Sequence, residues 1–595
     1  MIGKRPVRIA NCSGFYGDRM AAAREMVDGG PIDVLTGDYL AELTMFILWK
    51  ARRKDPSAGY ARTFLTQLEQ VLGTCLDRGI RIVVNAGGLN PAGLAEQVRL
   101  LARRLGLAPK VAHIEGDDLL GRLGELVAAG HRLSHLDTGR PLAEAKAEPV
   151  SANAYLGGWG IAAALEAGAD VVICPRVTDA SLVVGPAAWW HGWSRTDYDA
   201  LAGAVVAGHV IECGPQATGG NYSWFEEIKD PRCPGFPIAE VAADGSSVIT
   251  KHPGTGGLVS PDTVTAQLLY EIAGPAYANP DVVAYFDTLR LDQVGPDRVR
   301  ISGTKGGPPP RSLKIAINFL GGYRNTMTLV LTGLDIERKA ELARRQLFDL
   351  LGGEESFADV DVRLIRYDRE DAPSNEQATA HLRITVKDPD PVKVGRRFSD
   401  AAMELALAGY PGFHTTTPPT AESAYGVYWP ALIPAELVEH RVVLPDGDTL
   451  VIPHTSVLDG SAGEPGEGRT GSPVESAGEV PAGPTRRVPL GRICAARSGD
   501  KGGNANIGLW TRDAASYAWL RGHLTTDRLR ELLPEAAGLE IQRYELPNLR
   551  ALNFVVVGLL GAGVAETARP DPQAKGLGEY LRSRHVDIPV ALLGD

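Results

Sequence analysis

Residues 80–91 read Ile-Arg-Ile-Val-Val-Asn-Ala-Gly-Gly-Leu-Asn-Pro, and they contain the pattern that decides the fold of the large N-terminal region. A β-branched run at 80–84 passes into a loop of asparagine and glycine that ends on Asn90 and Pro91. Asparagine followed by proline is typical of a helix start, because the amide caps the helix and proline fits its first turn. The stretch therefore predicts a strand, a polar loop and a helix through Arg104.

The same unit of strand, polar loop and helix recurs through residues 1–190. Its other strands are predicted at 7–10, 32–35, 110–114 and 170–174. This alternation is typical of an α/β fold in which a parallel sheet is wrapped by helices. In such folds ligands bind at the carboxyl ends of the strands, which is where these loops lie.

The chain of 595 residues is too long for a single hydrophobic core. From about 290 to 456 the pattern changes to strands, including 313–318 and 328–331, with a helix at 335–351. We expect an α+β subdomain there, beside the α/β part at about 1–290. Together they form a large region, 1–456.

Residues 457–486 are poor in large apolar side chains and rich in Gly, Ser, Pro and Glu, which is typical of a flexible linker. The linker separates the large region from a small one, 487–595. In the small region we predict two strands, a helix at 515–534, two further strands and a helix. That order indicates a small α+β domain with a ferredoxin-like arrangement.

The composition argues against several classes of partner and cofactor. With 61 basic and 72 acidic residues the net charge is −11, so no nucleic-acid or anionic-membrane partner is expected. No apolar stretch approaches the roughly 20 residues that span a bilayer. The six cysteines form no CxxC pair, and we expect reduced thiols in a cytoplasmic protein. The 12 histidines form no HxH or HExxH pattern, and no GxGxxG follows the first strand, so neither a metal nor a nicotinamide or flavin cofactor is expected.

Residues 497–508, Arg-Ser-Gly-Asp-Lys-Gly-Gly-Asn-Ala-Asn-Ile-Gly, place charged and amide side chains among glycines. Such a loop can bring backbone N–H groups and a cation close to an anionic or carbonyl-bearing ligand. The spacing is not that of a P-loop, because Gly502 follows Lys501. The alternative interpretation is a tight turn between two strands.

Arg176, Thr178 and Asp179 follow the predicted strand at 170–174. Charges at that edge are usually paired or functional, because leaving them desolvated and alone is costly. Arg176 either pairs with Asp179 structurally, or holds a carboxylate or phosphate while Asp179 moves protons. Asp38 and Glu42 either join this group or complement the dipole of their own helix.

Other strand-end loops offer the same choice between a ligand site and a well-capped turn. The residues that we expect to bind substrate are Asn11, Ser13, Asp38, Asn85, Gly87, Gly88, Asn90, Thr178 and Gly256, with Arg497, Asp500 and Asn504 from the small region. Glu212 precedes Cys213, which is either a nucleophile or a small buried hydrophobe.

Taken together, these loops resemble those of the acyclic terpene utilisation protein A family. The matching stretches are 11–18, 85–91, 176–181 and 212–214 in the large region, with 497–502 and 506–508 in the small one. The resemblance covers nearly everything except the linker, and it implies the family's main domain followed by its ferredoxin-fold domain. The family is associated with the catabolism of citronellol- and geraniol-type terpenes and with acyl-CoA carboxylase gene neighbourhoods. The resemblance therefore implies an acyl-CoA or carboxylate context.

We therefore expect a cofactor-independent enzyme of hydratase, dehydratase or lyase type that acts on a branched acyl-CoA or related carboxylate. Arg176 would bind charge, and Asp179 would act as acid or base with Glu212. Lys501 would approach the same cleft, within one chain or across an interface of the expected homo-oligomer. The alternative is a non-catalytic binding or assembly subunit for an acyl-CoA carboxylase or a biosynthetic complex. A third possibility is a hydrolase with Cys213 as nucleophile.

Overall fold

The computed structural model describes residues 5–455 and 478–594. Most of the predicted linker, 457–486, lies outside these described residues. Its last two residues, Thr485 and Arg486, are the start of a strand that pairs within the small domain. The linker prediction therefore extends too far at its C-terminal end.

The strands of the large region alternate with helices along its first half and follow one another more closely in its second half. Within residues 5–455 they are β1 (Val7–Asn11), β2 (Val34–Gly37), β3 (Arg81–Val84), β4 (Val111–Glu115), β5 (Pro149–Ala154), β6 (Val171–Ile173), β7 (Pro237–Val241), β8 (Ser247–Lys251), β9 (Ala276–Ala278), β10 (Val283–Tyr285), β11 (Arg290–Gly295), β12 (Arg298–Ser302), β13 (Lys305–Gly307), β14 (Ser312–Thr332), β15 (Asp359–Arg366), β16 (Thr379–Asp388), β17 (His414–Thr415), β18 (Ser423–Pro434), β19 (Arg441–Val443) and β20 (Thr449–Val451).

An eleven-stranded sheet forms the centre of the region, in the order β11-β12-β8-β7-β1-β2-β3-β6-β4-β19-β20. Its five central strands, β1, β2, β3, β6 and β4, run parallel, which confirms the predicted α/β fold. Antiparallel strands extend the sheet at both edges. The sheet is therefore mixed, and the carboxyl ends of its parallel strands meet along one edge.

Both faces of this sheet are covered, which explains why its central strands are apolar at successive positions. Ile9 packs into one hydrophobic core and its neighbour Ala10 into the other. The helices of the region are Ala22–Asp28, Glu42–Lys54, Thr63–Arg78, Pro91–Arg104, Leu123–Ala128, Trp159–Glu166, Ser181–His191, Tyr198–Ile211, Pro261–Leu268, Ile336–Leu351, Pro391–Val394 and Arg396–Ala408. None of the helices among residues 5–455 and 478–594 combines the length and the apolarity that crossing a membrane requires.

A second sheet is built around β14, a strand of 21 residues. The sequence predicted two strands here, at 313–318 and 328–331; both segments are confirmed as strand, but the break between them is wrong, because one strand contains them both. Gly321 and Gly322 lie where the register with β18 shifts, so the glycines form a bulge and do not end the strand. The N-terminal half of β14 pairs with β5 and β18, and its C-terminal half pairs with β16. The predicted helix at 335–351 is confirmed as Ile336–Leu351.

The small domain contains a four-stranded antiparallel sheet in the order β22-β23-β25-β24, with a separate pair, β21 and β26. These strands are β21 (Thr485–Pro489), β22 (Ala495–Lys501), β23 (Asn504–Trp510), β24 (Ile541–Leu546), β25 (Ala551–Val556) and β26 (His585–Pro589). Its helices are Ala514–His523, Thr526–Leu532 and Leu577–Ser583. The single helix predicted at 515–534 is two, because the Thr525 hydroxyl caps a new helix by accepting from the Arg528 N–H at 3.1 Å.

Residues 497–508 form a hairpin of β22 and β23, so the interpretation as a strand-to-strand turn is confirmed for the backbone. The sheet packs closely on the large region of the same chain. A Cβ added at Gly508 would lie 2.5 Å from the Cβ of Leu269, and one at Gly499 would lie 2.3 Å from the Tyr270 ring. Only glycine permits this approach of the two domains.

Gly508→Ala is expected to lower the free energy of unfolding by about 1–3 kcal/mol, because the added methyl group overpacks the contact with Leu269. Urea denaturation monitored by circular dichroism measures the change. Gly522→Ala is the control, since a Cβ at Gly522 meets nothing within 4 Å. Wild-type stability in Gly508→Ala would contradict the close docking.

Candidate functional site

A cavity of about 1340 Å³ lies where the carboxyl ends of the parallel strands meet the small domain. The large region contributes charged side chains that follow β2 and β6, among them Asp38, Arg176 and Asp179. The hairpin of the small domain contributes Asp500 and Lys501. Residues predicted from two separate parts of the sequence therefore line one cavity.

Arg176 is the central cation of this cavity and is 3% exposed. One terminal nitrogen donates to the Leu40 carbonyl at 3.0 Å and to Asp179 Oδ1 at 3.2 Å. The other donates to the Tyr155 hydroxyl at 3.2 Å, and the guanidinium stacks 4.4 Å from the centre of the Tyr155 ring. Arg176 is therefore both paired with Asp179, as one interpretation proposed, and part of the cavity wall.

Asp38 is held beside Arg176 by Asn85, which follows the neighbouring strand β3. The Asn85 amide donates to Asp38 Oδ1 at 2.5 Å and accepts from the Tyr39 N–H at 2.7 Å. Burial and the charge of Asp179 raise the pKa of Asp38 well above its usual value, while Arg176 opposes the rise. Asn85 thus fixes the orientation of a carboxyl group that favours its protonated form.

Two further carboxyl groups in the wall also have raised pKa values. Burial raises the pKa of Asp179 to about 6, although Arg176 lowers it. Burial and the charges of Asp179 and Asp38 raise the pKa of Glu212 well above its usual value. The Asn11 amide donates to the main-chain carbonyls of Ile211 (2.5 Å) and Glu212 (2.8 Å), which fixes this segment against β1. A carboxyl group with the pKa of Asp179 can release and accept protons near neutral pH.

Glu42 lines the same cavity, but its surroundings lower its pKa. Its carboxylate accepts from the Tyr155 hydroxyl at 3.1 Å and lies 3.6 Å from Lys314 Nζ. Burial opposes its charge, but Lys314 and Arg176 hold its pKa at about 2. Glu42 therefore joins the strand-end cluster, as one of the two interpretations of the sequence proposed, and stays ionised.

The hairpin of the small domain brings an acid and a cation to the cavity. Burial and the charge of Glu271 raise the pKa of Asp500 to about 7, while Lys575 lowers it from 3.7 Å away. Lys501 Nζ donates to the Glu271 carbonyl at 2.8 Å. Burial and the charge of Lys314 lower the pKa of Lys501. The small domain therefore adds to the cavity an acid with a raised pKa, Asp500, and a cation with a lowered pKa, Lys501.

Several predicted substrate-binding residues lie outside the cavity wall. Asn11 and Asn85 stand behind it and position Glu212 and Asp38, and Ser13 is fully buried, with its hydroxyl donating to the Phe15 carbonyl. Thr178 lines the cavity. Arg497 lies one layer back, stacked 4.5 Å from the ring of Tyr270, which does line it.

Each of the remaining predicted residues caps a helix, allows close packing of the backbone or joins the two domains. Asn90 caps helix Pro91–Arg104 by accepting from the Gly93 N–H at 3.0 Å. A Cβ at Gly87 would lie 2.6 Å from the Cys174 carbonyl oxygen, and Gly88 has a φ of +51°. A Cβ at Gly256 would lie 2.7 Å from the Cys233 carbonyl oxygen. Asn504 donates to Asp137 at 2.8 Å across the domain boundary.

Other cavity residues were not predicted from the sequence, namely Tyr155, Tyr270, Glu271, Lys314 and Lys575. Most of them lie outside the glycine-rich loops on which the prediction relied. Lys314 did leave a signal, since it is the one cation in the apolar stretch 313–320. Cys213 lines the cavity too, but burial and the charge of Glu212 raise the pKa of its thiol well above the usual value, which disfavours the nucleophilic thiolate.

The fold and this site define a two-domain α/β protein whose strand-end cavity is completed by a small C-terminal domain. A model of the family described as "Acyclic terpene utilisation family protein AtuA" matches residues 7–444. A model described as "AtuA ferredoxin-like domain" matches residues 488–587. The chain belongs to the acyclic terpene utilisation family AtuA, with a ferredoxin-like domain at its C-terminal end, as the resemblance implied. No curated protein and no solved structure matches the chain.

Arg176→Met is expected to lower the free energy of unfolding by about 3–5 kcal/mol at pH 8, because Asp38 and Asp179 lose their compensating charge. The loss should shrink at pH 5. The pKa of Asp179 is about 6 in the folded protein and roughly 4 in an unfolded chain. Without Arg176 the folded value rises further, so folded-state protonation relieves the repulsion as the pH falls. Urea denaturation at both pH values measures this.

Arg345→Met is the control for this experiment, because Arg345 is 69% exposed and pairs with Glu341 at 3.5 Å on a helix surface. Its expected effect is below about 0.5 kcal/mol at either pH. A deficit in Arg176→Met that is equally small, or equally large at pH 5 and pH 8, would contradict the compensating role of Arg176.

Proposed function

We propose that this protein is a cofactor-independent enzyme of hydratase, dehydratase or lyase type that acts on a branched acyl-CoA or related acyl thioester or carboxylate. The reaction would belong to terpenoid or branched-acid metabolism, in keeping with the family. One observation carries the proposal: acids with pKa values raised toward neutrality, Asp179 and Asp500, share a cavity with Arg176 and Lys314. Groups of this kind are suited to proton transfer beside a developing negative charge.

The apolar part of the cavity supports the choice of substrate class. Phe15, Leu43, Ile47 and Leu432 line it although their side chains are between 38% and 58% exposed. Exposed apolar side chains gathered beside a charged pocket are typical of a ligand site. A branched hydrocarbon would cover these side chains, while its carbonyl or carboxylate end would reach the cations.

Hydration of a double bond illustrates the separate roles that the carboxyl groups and the cations of the cavity would have. A carboxylate accepts a proton from water as the water oxygen bonds to the β-carbon of an α,β-unsaturated acyl group. The electron pair of the double bond moves toward the α-carbon and the carbonyl oxygen, where Lys314 and Arg176 stabilise the enolate charge. A protonated carboxyl group then returns a proton to the α-carbon. Dehydration follows the same path in reverse.

Asp179→Asn is expected to lower kcat by about 10²–10⁴-fold, since it removes a proton-transferring group, and Lys501→Ala should also lower it. The assay measures turnover of a panel of branched and unsaturated acyl-CoA thioesters by the full chain. Asp349→Asn, an exposed position on helix Ile336–Leu351, is the control and should retain wild-type activity.

The outcomes of this assay separate the two candidate functions. If the wild-type protein turns over no thioester and binds none, the enzyme proposal fails and the binding or assembly subunit replaces it. If the wild type is active and neither variant is impaired, the assignment of Asp179 and Lys501 is wrong while the class of reaction survives.

Cys213→Ala tests the hydrolase alternative on the same panel. We expect the variant to keep most of the wild-type kcat, because a thiol with a strongly raised pKa contributes little thiolate at neutral pH. Mass spectrometry of the protein mixed with substrate checks for an acyl-enzyme. Loss of activity together with an acyl adduct on the wild type would favour Cys213 as the nucleophile.

A further inference from the structure

Glu271 has a backbone conformation that side-chain-bearing residues rarely adopt. Its φ is +58°, in the left-handed region, and it lies three residues beyond helix Pro261–Leu268. Glu271 lines the cavity. An unfavourable conformation at a cavity wall persists only when the surroundings impose it, and such positions cluster at functional sites.

The small domain holds both main-chain polar groups of Glu271. The Asn506 side-chain oxygen accepts from the Glu271 N–H at 2.8 Å. Lys501 Nζ donates to the Glu271 carbonyl at 2.8 Å. Both contacts come from the hairpin of β22 and β23, so the backbone of Glu271 is fixed by a different domain from its own.

A second buried amide, that of Asn553, holds the two residues that follow Glu271. Asn553 donates to the Ile272 carbonyl at 3.1 Å and to the Ala273 carbonyl at 2.6 Å. Its side-chain oxygen accepts from the Asn506 amide, and both asparagines are fully buried. Each therefore needs its partners, because a buried amide without hydrogen bonds is costly. We call Lys501, Asn506 and Asn553 the clamp.

The clamp brings the Glu271 carboxylate into the charged cluster of the cavity. After burial, the Glu271 charge is the main influence that raises the pKa of Asp500. It also raises the pKa values of Asp179 and Glu212, along with burial and other charges. The charge of Glu271 therefore acts on three carboxyl groups contributed by both domains.

We propose that Glu271 is a proton-accepting carboxylate of the reaction, and that the clamp of the small domain positions it in the cavity. In hydration, Glu271 takes the proton of water as the oxygen bonds to the β-carbon, and a protonated carboxyl group such as Asp500 supplies the proton to the α-carbon. The inference rests on the proposed function for the identity of the reaction. The positioning itself can be measured without turnover.

The first test is a double-mutant cycle on kcat with an acyl-CoA that the wild type turns over. Glu271→Gln keeps the shape of the side chain, removes its basicity, and should lower kcat by about 10²-fold or more with a smaller change in KM. Asn506→Ala and Asn553→Ala should lower kcat in the same way. Added to Glu271→Gln, they should lower it little further, because they act through Glu271.

Asn548→Ala is the matched control for Asn553→Ala. The Asn548 amide also donates to two main-chain carbonyls of the large region, those of Phe286 (2.8 Å) and Leu289 (2.9 Å). Its amide donates to carbonyls outside residues 271–273, so it contributes to docking of the domains without bonding to the backbone that the clamp holds. We expect Asn548→Ala to retain wild-type kcat. A loss equal to that of Asn553→Ala would show that the clamp serves docking alone.

The second test needs no substrate: the alkylation rate of the Cys213 thiol reports whether the Glu271 carboxylate lies close to it. Burial first, then the charges of Glu212, Glu271 and Asp38, raise the pKa of the Cys213 thiol, and Arg497 lowers it. Removing the Glu271 charge should speed alkylation of Cys213 by iodoacetamide, by about threefold for each unit of the fall in pKa, because the thiolate fraction rises while each thiolate becomes a weaker nucleophile. Mass spectrometry of the Cys213 peptide distinguishes it from Cys233, which is exposed.

Combining Asn506→Ala with Glu271→Gln distinguishes an effect of the Glu271 charge on Cys213 from greater exposure of Cys213 to the reagent. Asn506→Ala should speed alkylation of Cys213 when residue 271 is Glu and add nothing in the Glu271→Gln background. Equal acceleration in both backgrounds would mean that the domains have opened, and it would overturn the clamp. If alkylation follows the prediction while the wild type turns over no thioester, the clamp stands and the proposed reaction fails. If Glu271→Gln leaves both kcat and alkylation unchanged, the inference is wrong.

Discussion

The guanidinium of Arg176 is the interaction on which the arrangement of the cavity depends. Four carboxyl groups of the large region, Asp38, Glu42, Asp179 and Glu212, converge at the carboxyl edge of the sheet and are pulled out of bulk water. Buried charges of one sign would repel one another unless a cation lay among them. Arg176 extends from the end of β6 into this group and contacts Asp179 and Tyr155. A buried pair of this kind adds little net stability, so its value lies in holding groups of different acidity in fixed positions.

The second constraint is the docking of the small domain, which covers part of the cavity and adds Asp500, Lys501 and Lys575 to its wall. Two glycines of the hairpin allow the close approach, and the Trp510 indole N–H donates to Asp262 at 3.0 Å at the same interface. Burial disfavours the charged form of a carboxyl group, which is why acids of raised pKa occur on both sides of the domain boundary.

Much of this could be predicted from the sequence because its patterns are local. Strand, loop and helix alternation identified the parallel sheet, and polar residues at strand ends identified Asp38, Arg176 and Asp179 as neighbours. Glu212 was singled out from a glycine-rich loop, and the structure places it at the end of helix Tyr198–Ile211. Local patterns could not show that Lys314 in β14 and Glu271 beyond a helix reach the same cavity, because pairing of distant strands and docking of a second domain place them there. The two glycines inside β14 misled for a related reason, since a bulge and a turn use the same residues. Gly87, Gly88 and Gly256 permit close packing of the backbone, which glycine does as often as it forms a ligand loop.

We propose that both domains together form one site that binds the carbonyl end of an acyl thioester beside Arg176 and Lys314. The most direct measurement is a crystal structure of the full chain with a saturated, branched acyl-CoA that cannot be hydrated. We expect the thioester carbonyl within hydrogen-bond distance of the Lys314 or Arg176 cation, and the branched chain against Phe15, Leu43 and Ile47. An acyl-CoA bound outside this cavity, or a cavity that stays empty at saturating ligand while the ligand binds elsewhere on the protein, would contradict it.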